Sequence, residues 1–276
     1  MNKDKDNIIN WKKPLTLDEQ IEYLRTTKNI IFSSISECDA KKKLYELNYI
    51  NIITPFKYKF YNKDINNNPI LNSNNKHQYY SITDFNSYLN LYKKEREYYP
   101  LIFKKISKFE STFSTILSYY TSIKYEIDSE NNFNKFVVLL NNNADRLKNN
   151  DVFSKERIEN IKKHIKNLKK YYCKYANIFV FLDNLSFGQL LSVYICIGKE
   201  TKKIIFKELL KLDQVLFCKN IASFEKIVFK LIDIRNCVYH NNSIEITINY
   251  SNKKNRTLRD NDDKKDYIKI LNYLTK

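Results

Sequence analysis

The sequence predicts an all-α protein, a helical bundle with one small extended or β segment. Helix breakers are scarce, with two glycines and four prolines in 276 residues. Apolar residues recur at three- and four-residue steps over long stretches, the spacing that lines one side of a helix. Hydrophobic residues make up 43% and aromatic residues 14% of the chain, enough to fill a sizeable core.

Taken in order, "PLTLDEQIEYLRTTK" reads as a helix. Thr16 and Glu19 can form its capping box, and Leu17, Ile21 and Leu24 its apolar face. A second helix is expected after Ser36. "NIITPFKYKFY" reads as aromatic and extended around Pro55, and the Asn-rich "NKDINNNPILNSNNKHQYYS" as a surface loop. Asp84 can cap "FNSYLNLYKKEREYY". After Pro100 a long helix follows, with Ile102, Ile106, Phe109, Phe113 and Ile116 on one side. "SENNFNKFVVLLNNNADRLKNN" contains a shorter helix. Ser154 can cap "KERIENIKKHIKNLKKYYCKY", striped by Ile158, Ile161, Ile165 and Leu168, and Ser186 can cap the helix after "DNL". "KETKKIIFKELLKL" and "VLFCKNI" come next. "SFEKIVFKLIDIRNCVYHNN" follows as a core helix, with Phe224, Val228, Leu231, Ile232 and Cys237 facing inward. "SIEITINY" alternates and reads as a short strand. "DDKKDYIKILNYLTK" is a short amphipathic helix. No linker or repeat divides the chain, so a single domain spanning 1–276 is expected, with an N-terminal helical segment at 12–60 and a helical core at 82–250.

The formal charge is +17. Surplus cations neutralise phosphates and release counterions, which suits an RNA partner; a lysine-rich codon bias would supply much of the same charge. The Lys-dense faces around Lys162, Lys163, Lys166, Lys169 and Lys170 are candidate phosphate contacts, although such faces are more often simply solvated. Gly-rich phosphate loops are absent. Five cysteines without a C-x-x-C pair suit a reducing cytoplasm, and His77, His164 and His240 have no metal-ligand spacing with them, so no metal or cofactor is expected. The first residues carry no apolar signal-like run, and the most apolar zone is interrupted by Asp183, Asn184 and Gln189, so no membrane partner is expected.

The chemistry concentrates in "DIRNCVYHNN". Arg235 and His240 are one of seven arginines and one of three histidines. An Arg five places before a His arises by chance in about 8% of such chains, so the spacing alone is weak. Its placement at the end of a helix gives it weight. Metal-free RNA hydrolysis needs a group to take the 2′-OH proton, a group to protonate the leaving 5′-oxygen, and a charge to stabilise the phosphate between them. His240 suits proton transfer and Arg235 suits the phosphate. Asn236 can orient the imidazole or hold a phosphate oxygen, and Tyr239 can stack on a base. On a continuous helix Arg235 and His240 stand roughly 140° apart, so they converge only if the helix ends near Tyr239 or a partner shares the site. The plainer reading is that Arg235 pairs with Asp233 or a distant acid and His240 caps a helix terminus.

Several segments in order resemble the Abi (abortive infection) family of bacterial phage-defence proteins, the AbiD/AbiF-like group. They are "KPLTLDEQIEYLRTTKNIIF", "LYELNYINIITPF", "ITDFNSYLNLYKKEREYYPLIFKKISKFESTF", "LSFGQLLSVY" and "LIDIRNCVYHNNSI". The resemblance implies a HEPN-like helical fold, in which Arg-x(4–6)-His forms a metal-independent RNase site, usually across two such units. It gives Arg235 and His240 the catalytic positions and Asn236 the place after the Arg. It makes Glu110 the acid of an earlier helix. The sequence departs from the family pattern where Tyr239 stands for an Ala and Asn241 for a second His. The expected function is a toxin-like endoribonuclease, possible as a homodimer. The alternative is a non-catalytic protein that holds a structured small noncoding RNA. A helical protein-interaction module with incidental charge is the remaining reading.

Overall fold

Thr16 opens the first helix, α1 (Leu17–Lys28), through the expected capping box with Glu19, and Asn29 closes it in the left-handed region. The computed structural model describes residues 14–65, 69–71, 77–79, 82–147, 153–172, 178–212, 218–249 and 259–276, without the side chains of 169–172. These pack as two compact units that divide between Glu97 and Tyr98. No Gly- or Pro-rich linker marks the division.

In the first unit, β1 (Ile30–Ile31) follows α1, and Ser36 caps α2 (Glu37–Leu47). The stretch expected to be extended around Pro55 is instead helical on both sides. It forms α3 (Tyr49–Ile52) and a 3-10 turn at Lys57–Phe60. Asn48, with φ 66°, supplies the reversal, and its side chain caps α3 by accepting from the Ile50 N–H. Local side-chain capping therefore overrides the β-prone composition. β2 (Thr83–Asp84) pairs in parallel with β1, and Asp84 accepts from the Asn86 N–H at the start of α4 (Phe85–Glu97). Ile21, Leu24, Ile30, Leu44, Phe56, Phe85 and Tyr88 form this unit's core.

The second unit is built on α5 (Tyr99–Tyr125), with Pro100 in its first turn. After it come α6 (Glu130–Arg146), α7 (Lys155–Tyr172), α8 (Ile178–Asp183), α9 (Phe187–Cys196) and α10 (Lys199–Lys211). Next are α11 (Ile221–Tyr239), α12 (Ile244–Asn249) and α13 (Asn261–Leu274). Phe109 and Phe113 of α5, Phe187 and Tyr194 of α9, Phe206 of α10 and Phe224 of α11 interlock at ring distances of 5.5–6.4 Å. Each fully buried ring contributes about 1.5–3 kcal/mol through removal from water. Ser154 and Ser186 cap α7 and α9 as expected. The "VLFCKNI" residues 215–217 lie outside the described residues.

"SIEITINY" is not a strand. Residues Ile244–Asn249 form α12, with Ile244 and Thr247 buried three residues apart and Ile246 and Ile248 half-buried. Arg259 holds its end, its backbone N–H donating to the Asn249 carbonyl and its Nε to the Thr247 carbonyl. Among the described residues, no helix is long and apolar enough to cross a membrane. The observed architecture is mainly α-helical, as the sequence predicts.

Candidate functional site at the end of α11

Asn220 and Ser223 cap the start of α11 reciprocally, and an apolar stripe from Phe224 through Val228 and Leu231 to Val238 anchors it. Its far end stops at Tyr239 through a set of backbone bonds. The Asn241 N–H donates to the Val238 carbonyl (3.0 Å) and the Asn242 N–H to the Cys237 carbonyl (2.8 Å). This is the Schellman pattern, with Asn241 in the left-handed position at φ 51°. His240, the cap residue, still donates its N–H to the Asn236 carbonyl and is exposed, and the chain leaves the helical path at Asn241. The Tyr99 hydroxyl donates to the Asn242 carbonyl and ties the turn to the start of α5.

Arg235 does not pair with Asp233. Its Nε lies 3.6 Å from a carboxylate oxygen of Glu110 on α5. Asp233 instead accepts from the Tyr267 hydroxyl (2.6 Å) and lies 4.0 Å from Arg157. Arg235 Nη1 also donates to Asn236 Oδ1 (3.3 Å), and the guanidinium lies 5.2 Å from the centre of the Tyr239 ring. The Tyr239 ring is in turn met edge-on by the His240 imidazole at 5.2 Å. Tyr239 is 62% exposed. Glu110, Arg235, Asn236, Tyr239 and His240 therefore form one chain of contacts.

Glu110 has a second partner that the sequence did not disclose. Its carboxylate accepts from the backbone N–H of Phe187, the first residue of α9. The Leu185–Gly188 signature thus has a structural reading. Ser186 caps the helix, Phe187 fills the aromatic core, and the freed N–H at the positive helix end holds Glu110. Burial raises the Glu110 carboxyl above its usual range, against the Arg235 charge and the Phe187 N–H, which both favour the ionised form.

The lysines of α7 are not gathered into this group. Lys162 lies 3.6 Å from Asp145 and 3.7 Å from Glu159, so its charge is largely met within the fold. Lys163 and Lys166 are exposed, and the side chains of Lys169 and Lys170 lie outside the described residues. His164 is half-buried, 2.9 Å from Ser192 Oγ; burial and the neighbouring Lys163 charge lower its affinity for a proton, and a hydrogen bond to the Gly188 backbone opposes them. It has a packing role.

A helical protein with an Arg-x4-His group exposed at the end of a core helix is the class that this geometry defines. The profile of the Abi-like protein family matches residues 42–244, so the chain belongs to that family. The family points to a role in abortive infection, the bacterial defence against phage. No curated protein and no solved structure matches the chain.

Proposed function

We propose that the protein is a metal-independent endoribonuclease of the HEPN kind, with Arg235 and His240 as its catalytic residues. The observation that supports this reading is the run of contacts at the end of α11, where the Arg235 guanidinium lies 5.2 Å from the exposed Tyr239 ring and the His240 imidazole meets that ring edge-on. His240 takes the proton of a ribose 2′-OH as the oxygen attacks the adjacent phosphorus. Arg235 stabilises the added negative charge on the phosphoryl oxygens. The departing 5′-oxygen needs a proton from a second group. Each chain brings one imidazole to this place, so a homodimer would supply the other from His240 of the partner subunit. Glu110 and Asn236 act through Arg235, as positioning residues for its guanidinium. Tyr239 offers an exposed ring for a neighbouring base, and Lys163 and Lys166 offer charge to flanking phosphates.

A second reading is a non-catalytic RNA-binding protein that holds a structured small RNA. The engagement of Arg235 by Glu110 favours it, because that guanidinium is already partly neutralised. One assay separates the two. The full chain is incubated in EDTA with end-labelled RNA containing single-stranded loops. Cleavage to 2′,3′-cyclic phosphate ends is expected, with His240→Ala slowing it about 10²–10⁴-fold and leaving RNA affinity nearly unchanged. Arg235→Ala is expected to abolish cleavage as well. RNA that co-purifies and stays intact would favour the second reading. Cleavage by His240→Ala at the wild-type rate would remove His240 from the site.

A further inference from the structure

A second polar group lies on α11, along the face that ends in His240. Phe229, Asp233, Asn236 and His240 follow one another at steps of four, three and four residues, so they share one stripe of the helix. Asp233 stands about 10 Å before His240 along the axis. Arg157, in the first turn of α7, reaches this stripe. Its guanidinium lies 4.5 Å from the centre of the half-buried Phe229 ring, which Phe153 braces edge-on at 5.6 Å. Arg157 Nη2 is 4.0 Å from Asp233 Oδ2, too far for a hydrogen bond. Oδ2 accepts instead from the fully buried Tyr267 hydroxyl at 2.6 Å. Among the described residues, Asp233 Oδ1 and the Arg157 guanidinium have no hydrogen bond. The two side chains keep 41% and 34% of their surface in solvent. The other charged pairs of this helix close tightly, Lys202 with Glu225 at 2.9 Å and Lys230 with Asp266 at 2.6 Å. Arg157 and Asp233 are thus neighbours that do not satisfy each other.

We propose that Arg157 and Asp233 form a guanine subsite for an RNA strand, with the base stacked on the guanidinium and its N1–H and N2–H donating to the carboxylate. The inference rests on the reading that RNA lies at this end of α11, which cleavage and non-catalytic holding share. A guanidinium backed by an aromatic ring is a flat cation on which an unstacked base can lie. A carboxylate on a surface that meets phosphates repels the backbone, and it gains only where a base edge brings it donors. On the Watson–Crick edge, guanine alone offers two adjacent donors. Adenine and cytosine set one amine beside an acceptor nitrogen, and uracil sets one N–H between two carbonyls, so each of these also presents the carboxylate with a repelling lone pair. Oδ1 takes one bond from guanine. The second lone pair of Oδ2 takes the other, while its first keeps the Tyr267 hydroxyl that fixes the carboxylate in place. A guanine held here sets the register of the strand that continues along the stripe to His240, so cleavage falls at one fixed distance from a G.

The test is one of binding, so it does not depend on cleavage. The full chain carrying His240→Ala, which keeps the RNA whole, is titrated in EDTA with single-stranded uridylate decamers that hold guanosine, inosine, adenosine or cytidine at one central position. The guanosine decamer is expected to bind about ten-fold more tightly than the adenosine and cytidine decamers. Inosine, which lacks the N2 amine, should fall between them. Asp233→Asn replaces one acceptor by a donor and keeps an oxygen for the Tyr267 hydroxyl. It should remove the guanosine preference with an unchanged melting temperature. Arg157→Lys keeps the charge and loses the plane, and should weaken the guanosine decamer about five-fold. Equal affinity for all four decamers, or a guanosine preference that survives Asp233→Asn, overturns the subsite and leaves the reading of the helix end standing. Arg157→Lys binding as tightly as Arg157 overturns the stacking. Binding of no decamer at all removes the subsite together with the reading on which it rests.

Discussion

Along the first turns of α11, Glu225 and Lys230 are charged side chains in the interior, and each has a counter-charge within 3 Å: Lys202 at 2.9 Å for the first, Asp263 at 2.8 Å and Asp266 at 2.6 Å for the second. In its last turn, Arg235 has one carboxylate at 3.6 Å and keeps 28% of its side chain in solvent, and Tyr239 and His240 project outward. The same helix thus uses charge in two ways. Buried charges that are fully paired hold α11 against α10 and α13. A charge left half-paired at an exposed end retains the capacity to meet something else.

The sharpest way to break this contrast is by packing. Phe224→Ala should cost about 3–5 kcal/mol in urea unfolding of the second unit, and Tyr239→Ala less than about 0.5 kcal/mol. Comparable losses at the two positions would mean that the exposed end is part of the scaffold. Next comes charge. Lys230→Met leaves Asp266 without this partner and Asp263 with Arg259 alone, and should cost about 2 kcal/mol. Arg235→Met leaves only a partly solvated Glu110 and should cost below about 1 kcal/mol. Equal costs would refute the division of roles. A smaller effect is expected at the turn, where Asn241→Ala places a Cβ-bearing residue without an amide in the left-handed region at a cost of about 1 kcal/mol. Asn241→Gly should be neutral within a few tenths.

The smallest effect is a titration. Because burial raises Glu110 above its unfolded value, the folded protein holds that proton more tightly. Below the unfolded value both states are protonated and the group contributes nothing. As pH rises from the unfolded to the folded value, stability falls, and the loss is complete above it. Arg235→Met removes a charge that favours the carboxylate, so the carboxyl should titrate at still higher pH by carbon NMR. A shift downward would show that Arg235 does not act on Glu110.

Much of this was legible from the sequence because the signals were local. Thr16, Asp84, Ser154 and Ser186 each lie one or two residues before an apolar-periodic run, and each makes its expected cap, while the helix expected after Ser36 starts at Glu37. "SIEITINY" failed because six residues cannot separate a two-residue period from a three-residue one, and Arg259 decides it from ten residues away. Pro55 misled because Asn48, at φ 66°, sets the path before it. At the site, Glu110 came from resemblance, whereas its bond to the Phe187 N–H had no sequence sign, since a backbone donor carries no residue identity.

Asn241 occupies the left-handed position that ends α11, next to the exposed His240. Asn and His are both among the few non-glycine residues that adopt that backbone readily. Exchange between them is therefore nearly invisible to folding while it changes the number of imidazoles beside the helix end. Stability does not distinguish the two residues at this position, and the choice between them is left to whatever meets the exposed helix end.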